Sequence, residues 1–248
     1  MSVNPVHWVS VFLDTPPDLI EADVAYWTAV TASKVGEAMG DQREYLPLDP
    51  DVGDPCLWFQ RIEEGPVASH PDLYVEDVVA QARRAVGLGT TQTRASDGLV
   101  VLSSPAGLPF CLVRHRGQCV RPEPVGTPGE RSVVDQICLD IPPARFEDEC
   151  RFWSALTGWQ LMNEPPKDEF DRLRRPEGIP YAFLLQRLDD EQPVATAHLD
   201  LSADDRAAEI ARHEALGAQV VRAARHWTVM RDPVGRVYCI TARRPGDV

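Results

Sequence analysis

The chain has 248 residues, a formal net charge of −13 and a hydrophobic fraction of 44%. That length suits one large domain or two ordinary ones, and an acidic excess spread along the chain excludes nucleic acid as the main partner, because phosphates require a basic surface. No run of 18 apolar residues exists to form a membrane span, and the opening MSVNPVHWVSVFLD lacks the basic and apolar regions of a signal peptide, so a cytoplasmic location is expected.

Read in chain order, WVSVFLD (8–14) has β character, and TPPDLIEADVAYWTAV (15–30) reads as a helix with a proline-rich entry. Proline is tolerated there because the first helical N–H groups have no intrahelical partner. GLGTTQT (87–93) reads as a helix end leading into a strand. The segment RHRGQCVRPEPVGTPGER (114–131) is rich in proline, glycine and charge and lacks apolar periodicity, which marks a linker.

After the linker the pattern returns. QICLDI is a strand, and PPARFEDECRFWSALTG is a helix whose Phe146, Cys150, Trp153 and Leu156 share one face. YAFLLQRL and AHLDL are strands, DDRAAEIARHEALG is a helix, and AQVVRA, WTVMRD and RVYCITA are strands separated by turns.

The two halves are copies. Asp14 matches Asp140, Pro16-Pro17 match Pro142-Pro143 and Trp27 matches Trp153, all 126 positions apart. Further on, His70 matches His198, Asp77 matches Asp205 and Gly107 matches Gly235, 128 apart. Each half is therefore strand–helix–strands twice over. Domains are expected at 1–115 and 130–248, with a linker over 116–129.

Four βαβββ modules in this order resemble the vicinal oxygen chelate superfamily, which includes glyoxalase I, extradiol dioxygenases, and the bleomycin and fosfomycin resistance proteins. The resemblance rests on LDIPPARFEDECRFWSALTGW, on HLDL…DD…ALGA and on RDPVGRVYCIT, each with a first-half counterpart. It implies an α+β fold in which each pair of modules forms an eight-stranded half-open cup with helices outside. It does not imply one activity, since the fold hosts several chemistries.

The resemblance also implies where a metal would sit. Relatives take ligands, often His, from the first strand of each module, and a Glu four residues after the glycine of the DPxG turn. His7 and His70 each stand seven residues before a matched Asp, and Cys111 and Cys239 stand four residues after Gly107 and Gly235. A metal, if present, would use His7, His70 and Cys111, a set suited to zinc or another borderline-soft ion. The repeat partner of His7 is Val133, which cannot ligate; a two-residue slip, which keeps the same strand face, would offer Asp135 instead.

Cys behaves as a small apolar residue in tightly packed strands, so Cys111 and Cys239 also read as pocket walls. Gln60 and Gln186, on matched strands, could orient a ligand, and Trp227 could stack on one. None of the six cysteines forms a CxxC pair, and a disulfide framework is not expected.

The expected function is a small-molecule enzyme without the usual metal site, with His7, His70 and His198 as candidate acid–base residues. Two alternatives stand beside it. One is a non-catalytic protein that binds a drug or metabolite. The other is a metal-dependent lyase or dioxygenase using His7, His70 and Cys111. No cofactor is expected beyond the divalent metal of that last reading. The expected partner is a small-molecule ligand, with neither membrane nor nucleic acid, in a monomer with intramolecular domain pairing or in a homodimer.

Overall fold

A computed structural model describes residues 5–162 and 169–246. The first module holds β1 (Val6–Thr15), α1 (Ile20–Thr31), β2 (Lys34–Val35), β3 (Tyr45–Asp49) and β4 (Leu57–Arg61). The second holds β5 (Ala68–Val75), α2 (Val78–Gly87), β6 (Thr91–Ser96), β7 (Leu99–Ser103) and β8 (Pro109–Arg114). The third holds β9 (Ser132–Ile141), a short 3-10 turn, α3 (Phe146–Thr157), β10 (Phe170–Leu173) and β11 (Ala182–Arg187). The fourth holds β12 (Thr196–Ala203), α4 (Arg206–Ala215), β13 (Gln219–Ala223), β14 (Trp227–Arg231) and β15 (Val237–Thr241).

The strands form two sheets with the helices outside them. The first has eight strands in the order β2-β3-β4-β1-β5-β8-β7-β6, and the second has seven, β10-β11-β9-β12-β15-β14-β13. Among the described residues the second sheet therefore has one strand fewer than the first. Where β2 pairs with β3 in the first copy, the second makes only the isolated bridge Leu161–Leu173 among the described residues.

β1 and β9 share one burial pattern, buried at all but two positions. Their sequences accordingly lack the regular alternation of a half-exposed strand, and their buried positions include the polar Ser10, Asp135 and Gln136. The edge strands β6 and β13 are exposed throughout; β6 is mostly polar, and each carries an arginine, which blunts pairing with other chains.

α2 and α4 start at matched aspartates. Asp77 accepts the Ala80 N–H, and Asp205 accepts those of Ala207 and Ala208, which explains why both copies carry Asp there. α1 and α3 both end on a left-handed residue: Gly158 (φ 76°) after α3, but Ala32 (φ 49°) after α1.

The chain divides into two compact units that do not follow its halves. One comprises the residues up to Val11, His70–Cys119 and Ile137–Ala197; the other Phe12–Ser69, Val120–Gln136 and His198 onward. In the first unit Arg84 Nη2 donates to the Ala155 carbonyl at 2.6 Å and Gln81 Nε2 to the Leu156 carbonyl at 2.8 Å, closing the end of α3. Phe110, Phe152 and Trp153 pack ring against ring beside them. Glu149 is buried there, accepting from Ala106 N and Trp153 Nε1, both at 2.8 Å. Burial pushes its carboxyl above the ordinary range, opposed by those hydrogen bonds.

The second unit closes α1 the same way: Arg212 donates to the Ala29 and Val30 carbonyls at 3.2 and 2.9 Å. Its aromatic cluster is polar, however. Tyr26, Tyr238 and His213 stand where the first unit has Phe152, Phe110 and Ala85. His213 Nδ1 lies 3.0 Å from the Tyr26 hydroxyl and 2.7 Å from that of Tyr238, and its Nε2 lies 3.0 Å from Glu209 Oε1. A carboxylate only accepts, so Nε2 donates to Glu209 and Nδ1 is left as a lone pair that accepts a tyrosine proton; the Tyr26 and Tyr238 hydroxyls lie 2.5 Å apart, so one of them donates to the other.

Candidate functional site

The site is set by two tight turns. Gly107 N–H donates to the Ser104 carbonyl at 2.8 Å, and Gly235 N–H to the Asp232 carbonyl at 3.0 Å. Both glycines have positive φ, 86° and 96°, a conformation that a side chain disfavours. Each turn feeds a last strand lying parallel to the first strand of its own module. β5 pairs with β8 so that Asp72 faces Cys111, and β12 pairs with β15 so that Asp200 faces Cys239.

Side chains two apart on a strand point to the same face, so His70 joins Asp72 and His198 joins Asp200. Two clusters result: His70, Asp72 and Cys111, and His198, Asp200 and Cys239, each with its candidate ligand atoms within 4.8 Å of one another. All three members recur at the single spacing of 128. In the first cluster all three residues are buried, and His70 Nε2 lies 3.6 Å from Asp72 Oδ1.

The second cluster is tighter. His198 Nε2 lies 3.4 Å from Asp200 Oδ1 and 3.5 Å from Cys239 Sγ. Gln136 Nε2 donates to the other oxygen of Asp200 at 2.5 Å, while the buried Oδ1 makes no hydrogen bond among the described residues. The position matching Gln136 in the first half is Ser10, so the amide donor is not repeated. Tyr74 follows Asp72 on the same face of β5 instead. Its phenol is pushed upward, chiefly by burial and then by the charge of Asp72, so a neutral O–H stands near the first cluster.

Sequence reasoning missed both carboxylates, although HPD (70–72) and HLD (198–200) are matched and carry His and Asp two apart. Of the residues expected at a site, His70 and Cys111 come together, as do His198 and Cys239. His7 does not join His70 and Cys111: it stands with Glu76 and His115. The strand start that carries His7 meets the chain where β5 and β8 end, whereas His70 lies near the start of β5.

Asp135 lies on β9. It is buried, accepting from Ser202 Oγ at 2.8 Å and from Arg243 Nη2 at 2.7 Å. Gln60 is half-buried on β4 opposite Tyr45. Gln186 donates to Glu169 Oε1 at 2.9 Å and presents its carbonyl 3.7 Å from Cys138 Sγ. Trp227 opens β14 opposite Thr241 and is half-buried.

The donor set of each cluster, one imidazole nitrogen, one carboxylate oxygen and one sulfur, fits a borderline-soft divalent ion such as zinc. A tetrahedral ion with bonds of about 2.0–2.2 Å to N and O and about 2.3 Å to S spaces its donors about 3.3–3.6 Å apart. The 3.4 and 3.5 Å separations in the second cluster meet that spacing, and the unbonded buried oxygen of Asp200 supplies a lone pair toward it.

Similar folds occur among solved structures. The 2,2',3-trihydroxybiphenyl 1,2-dioxygenase of Sphingomonas wittichii strain RW1 matches with TM-score 0.62 and 15% identity, over 97% of this chain and 90% of that one. The Mn(II)-bound glyoxalase of Novosphingobium aromaticivorans matches with TM-score 0.63 and 16% identity, over 96% and 82%. An extradiol ring-cleaving dioxygenase from B. fuscum matches with TM-score 0.64 and 13% identity, over 99% and 75%. At these identities the likeness is one of fold. No curated protein matches the sequence. The family model described as a glyoxalase-like domain matches twice, at residues 10–113 and 136–241. The chain belongs to the glyoxalase-like domain family, with two tandem copies of the domain.

Proposed function

We propose that this protein is an enzyme acting on a small organic molecule, and that its reactive centre is His198, Asp200 and Cys239, loaded with a zinc-like divalent ion. One observation carries the reading: Cys239 Sγ and Asp200 Oδ1 approach the same imidazole atom, His198 Nε2. In a Cys–His–Asp nucleophile relay the thiol and the carboxylate engage different ring nitrogens. Here three donor atoms converge on one point, as they do around a cation. The carboxylate that the last strand lacks is supplied by the neighbouring parallel strand, opposite the cysteine.

When bound, such an ion supplies Lewis-acid polarisation of a substrate oxygen at an open position. The remaining work belongs to the chain. Gln136 holds one oxygen of Asp200 so that the other faces His198. The β12–β15 register holds Cys239 opposite Asp200. Burial of both excludes water from that side of the centre. One His, one Asp and one Cys differ from the two-His, one-carboxylate set of non-haem iron oxygenases, so a lyase or isomerase type of reaction is favoured over oxygen chemistry. A cytoplasmic site of action is part of the proposal, supported by six cysteines that form no disulfide, as expected of thiols in reducing compartments.

The test is metal content. Protein purified with supplied zinc and freed of loosely held ions should retain tightly bound metal, and His198→Ala and Cys239→Ala should each lose the share held by that centre. Failure to retain metal under saturating supply would remove the ion and leave His198 as an unaided acid–base group. A small-molecule screen that finds binding but no turnover with the metal-loaded protein would overturn the enzyme reading.

A further inference from the structure

A third cluster shares no residue with either centre and contains no sulfur. It joins the start of β1 to the ends of β5 and β8. His115 is fixed by its N–H donating to the Val75 carbonyl at 3.0 Å, and its ring stacks on that of His7 with centroids 5.0 Å apart. Its Nε2 lies 3.0 Å from the Gln118 carbonyl oxygen. A carbonyl only accepts, so in the neutral ring Nε2 carries the proton and Nδ1 is a bare lone pair. That lone pair faces Glu76 Oε1 at 3.7 Å.

His7 Nε2 faces the same oxygen at 3.9 Å, is shielded from solvent and makes no hydrogen bond among the described residues. Two imidazole nitrogens and a carboxylate oxygen therefore gather within 4.8 Å of one another. One imidazole is already held in the tautomer that ligates, by an outer hydrogen bond of the kind that orients metal-binding histidines.

The second half provides an internal comparison. Its matching positions hold Val133, Asp204 and Arg243. There Arg131 pairs with Asp204 at 2.9 Å and Arg243 with Asp135 at 2.7 Å, so permanent guanidinium charges neutralise the acids. The first half replaces a guanidinium, which cannot ligate, by an imidazole, which can.

We propose that His7 Nε2, Glu76 Oε1 and His115 Nδ1 form a separate binding site for a divalent transition-metal ion, thiol-free and unique to the first half. Nitrogen and carboxylate donors with open positions suit zinc, cobalt(II), nickel(II) or iron(II) and not calcium or magnesium. Glu76 is two-thirds exposed, so the site is reachable from solvent and would exchange its ion faster than the buried centres.

Cobalt(II) titration of the metal-stripped full-length protein separates this site from the other two, because a thiolate ligand adds a near-ultraviolet charge-transfer band and this site has none. The expected result is one class of bound cobalt without that band. Glu76→Gln should weaken this class by more than about tenfold. His115→Arg, which installs the residue found in the second half, should abolish it while leaving any thiolate band unchanged. Absence of a thiolate-free class in the wild type, or its survival in both variants with circular dichroism confirming their fold, would overturn the proposal. Loss of the thiolate band alone would count against the other centres and not against this one.

Discussion

Arg236 grips Asp23 from 213 positions away in the chain: its Nη1 lies 2.7 and 2.9 Å from the two carboxylate oxygens, and both side chains are buried. The same guanidinium lies 3.3 Å from Asp232 Oδ2 and donates to Thr15 Oγ1 and the Asp14 carbonyl, each at 3.1 Å. Removing one partner of a buried pair leaves an uncompensated charge. Arg236→Met should therefore destabilise the protein by about 3–5 kcal/mol, measured by denaturant unfolding. A loss below about 1 kcal/mol, the range of surface pairs, would show the network to be solvated.

The polar aromatic cluster of the second unit should behave as a unit. Tyr238→Phe removes the hydroxyl that lies 2.7 Å from His213 Nδ1 and 2.5 Å from the Tyr26 hydroxyl and should cost about 1–3 kcal/mol. Combining Tyr26→Phe, Tyr238→Phe and His213→Ala copies the Phe152, Phe110 and Ala85 arrangement of the first unit. The triple variant should lose clearly less than the sum of the three single losses; strict additivity would mean that the hydrogen bonds act independently.

Acid should weaken this cluster in two stages. Burial holds the His213 imidazole below its ordinary 6.5, opposed by its bond to Glu209, so the unfolded chain takes up that proton first. The stability it contributes is present above about pH 6.5 and lost as pH falls toward the folded value. Burial raises Glu209, but hydrogen bonds from Arg212 and His213 outweigh it and hold the carboxyl well below 4.5. Its contribution is present above that value and lost as pH falls further. His213→Gln keeps a donor for Glu209 and an acceptor for the tyrosines but cannot titrate. Stability measured against pH should fall less steeply in this variant between about 6.5 and 4.5, and an unchanged slope would remove His213 from the account.

Ala32 ends α1 in the left-handed conformation that Gly158 adopts after α3. An L-residue pays about 1–2 kcal/mol there, while glycine adds about 0.4–1 kcal/mol of unfolded-chain entropy. Ala32→Gly should thus stabilise by about 0.5–1 kcal/mol, visible as a higher Tm; a lower Tm would show that the Ala32 methyl group packs usefully.

Gln136 touches the second centre only through Asp200. Gln136→Leu should lower zinc affinity at His198, Asp200 and Cys239 by about 10–100-fold, while leaving the thiolate-to-cobalt band in place because the ligands themselves remain. Equal affinity in the variant would show that the β12–β15 register alone orients the carboxylate.

Much of this architecture is legible in the sequence because the chain states it twice. Matched prolines, tryptophans and DPxG-like turns reveal the modules, and matched His and Cys residues point to both centres. Asp72 and Asp200 are harder to see. Each lies inside a strand whose neighbours are apolar, and its role depends on parallel pairing with a strand about forty residues on, which no local pattern encodes. The grouping of His7 is illegible for the same reason: equal spacing from Asp14 and Asp77 makes His7 and His70 look equivalent, but only strand pairing decides which chain ends meet. The exchange of Phe152, Phe110 and Ala85 for Tyr26, Tyr238 and His213 is visible residue by residue, yet its meaning needs the packing that brings them together.

The parallel pairing of β5 with β8 and of β12 with β15 has a consequence for inheritance. All three donors of each centre come from one module, between His70 and Cys111 or between His198 and Cys239. A single duplicated segment therefore transmits a whole centre, and no second segment has to change in step for it to survive. The third module contributes only an outer residue, Gln136, where the first holds Ser10, and at that position the two copies have diverged.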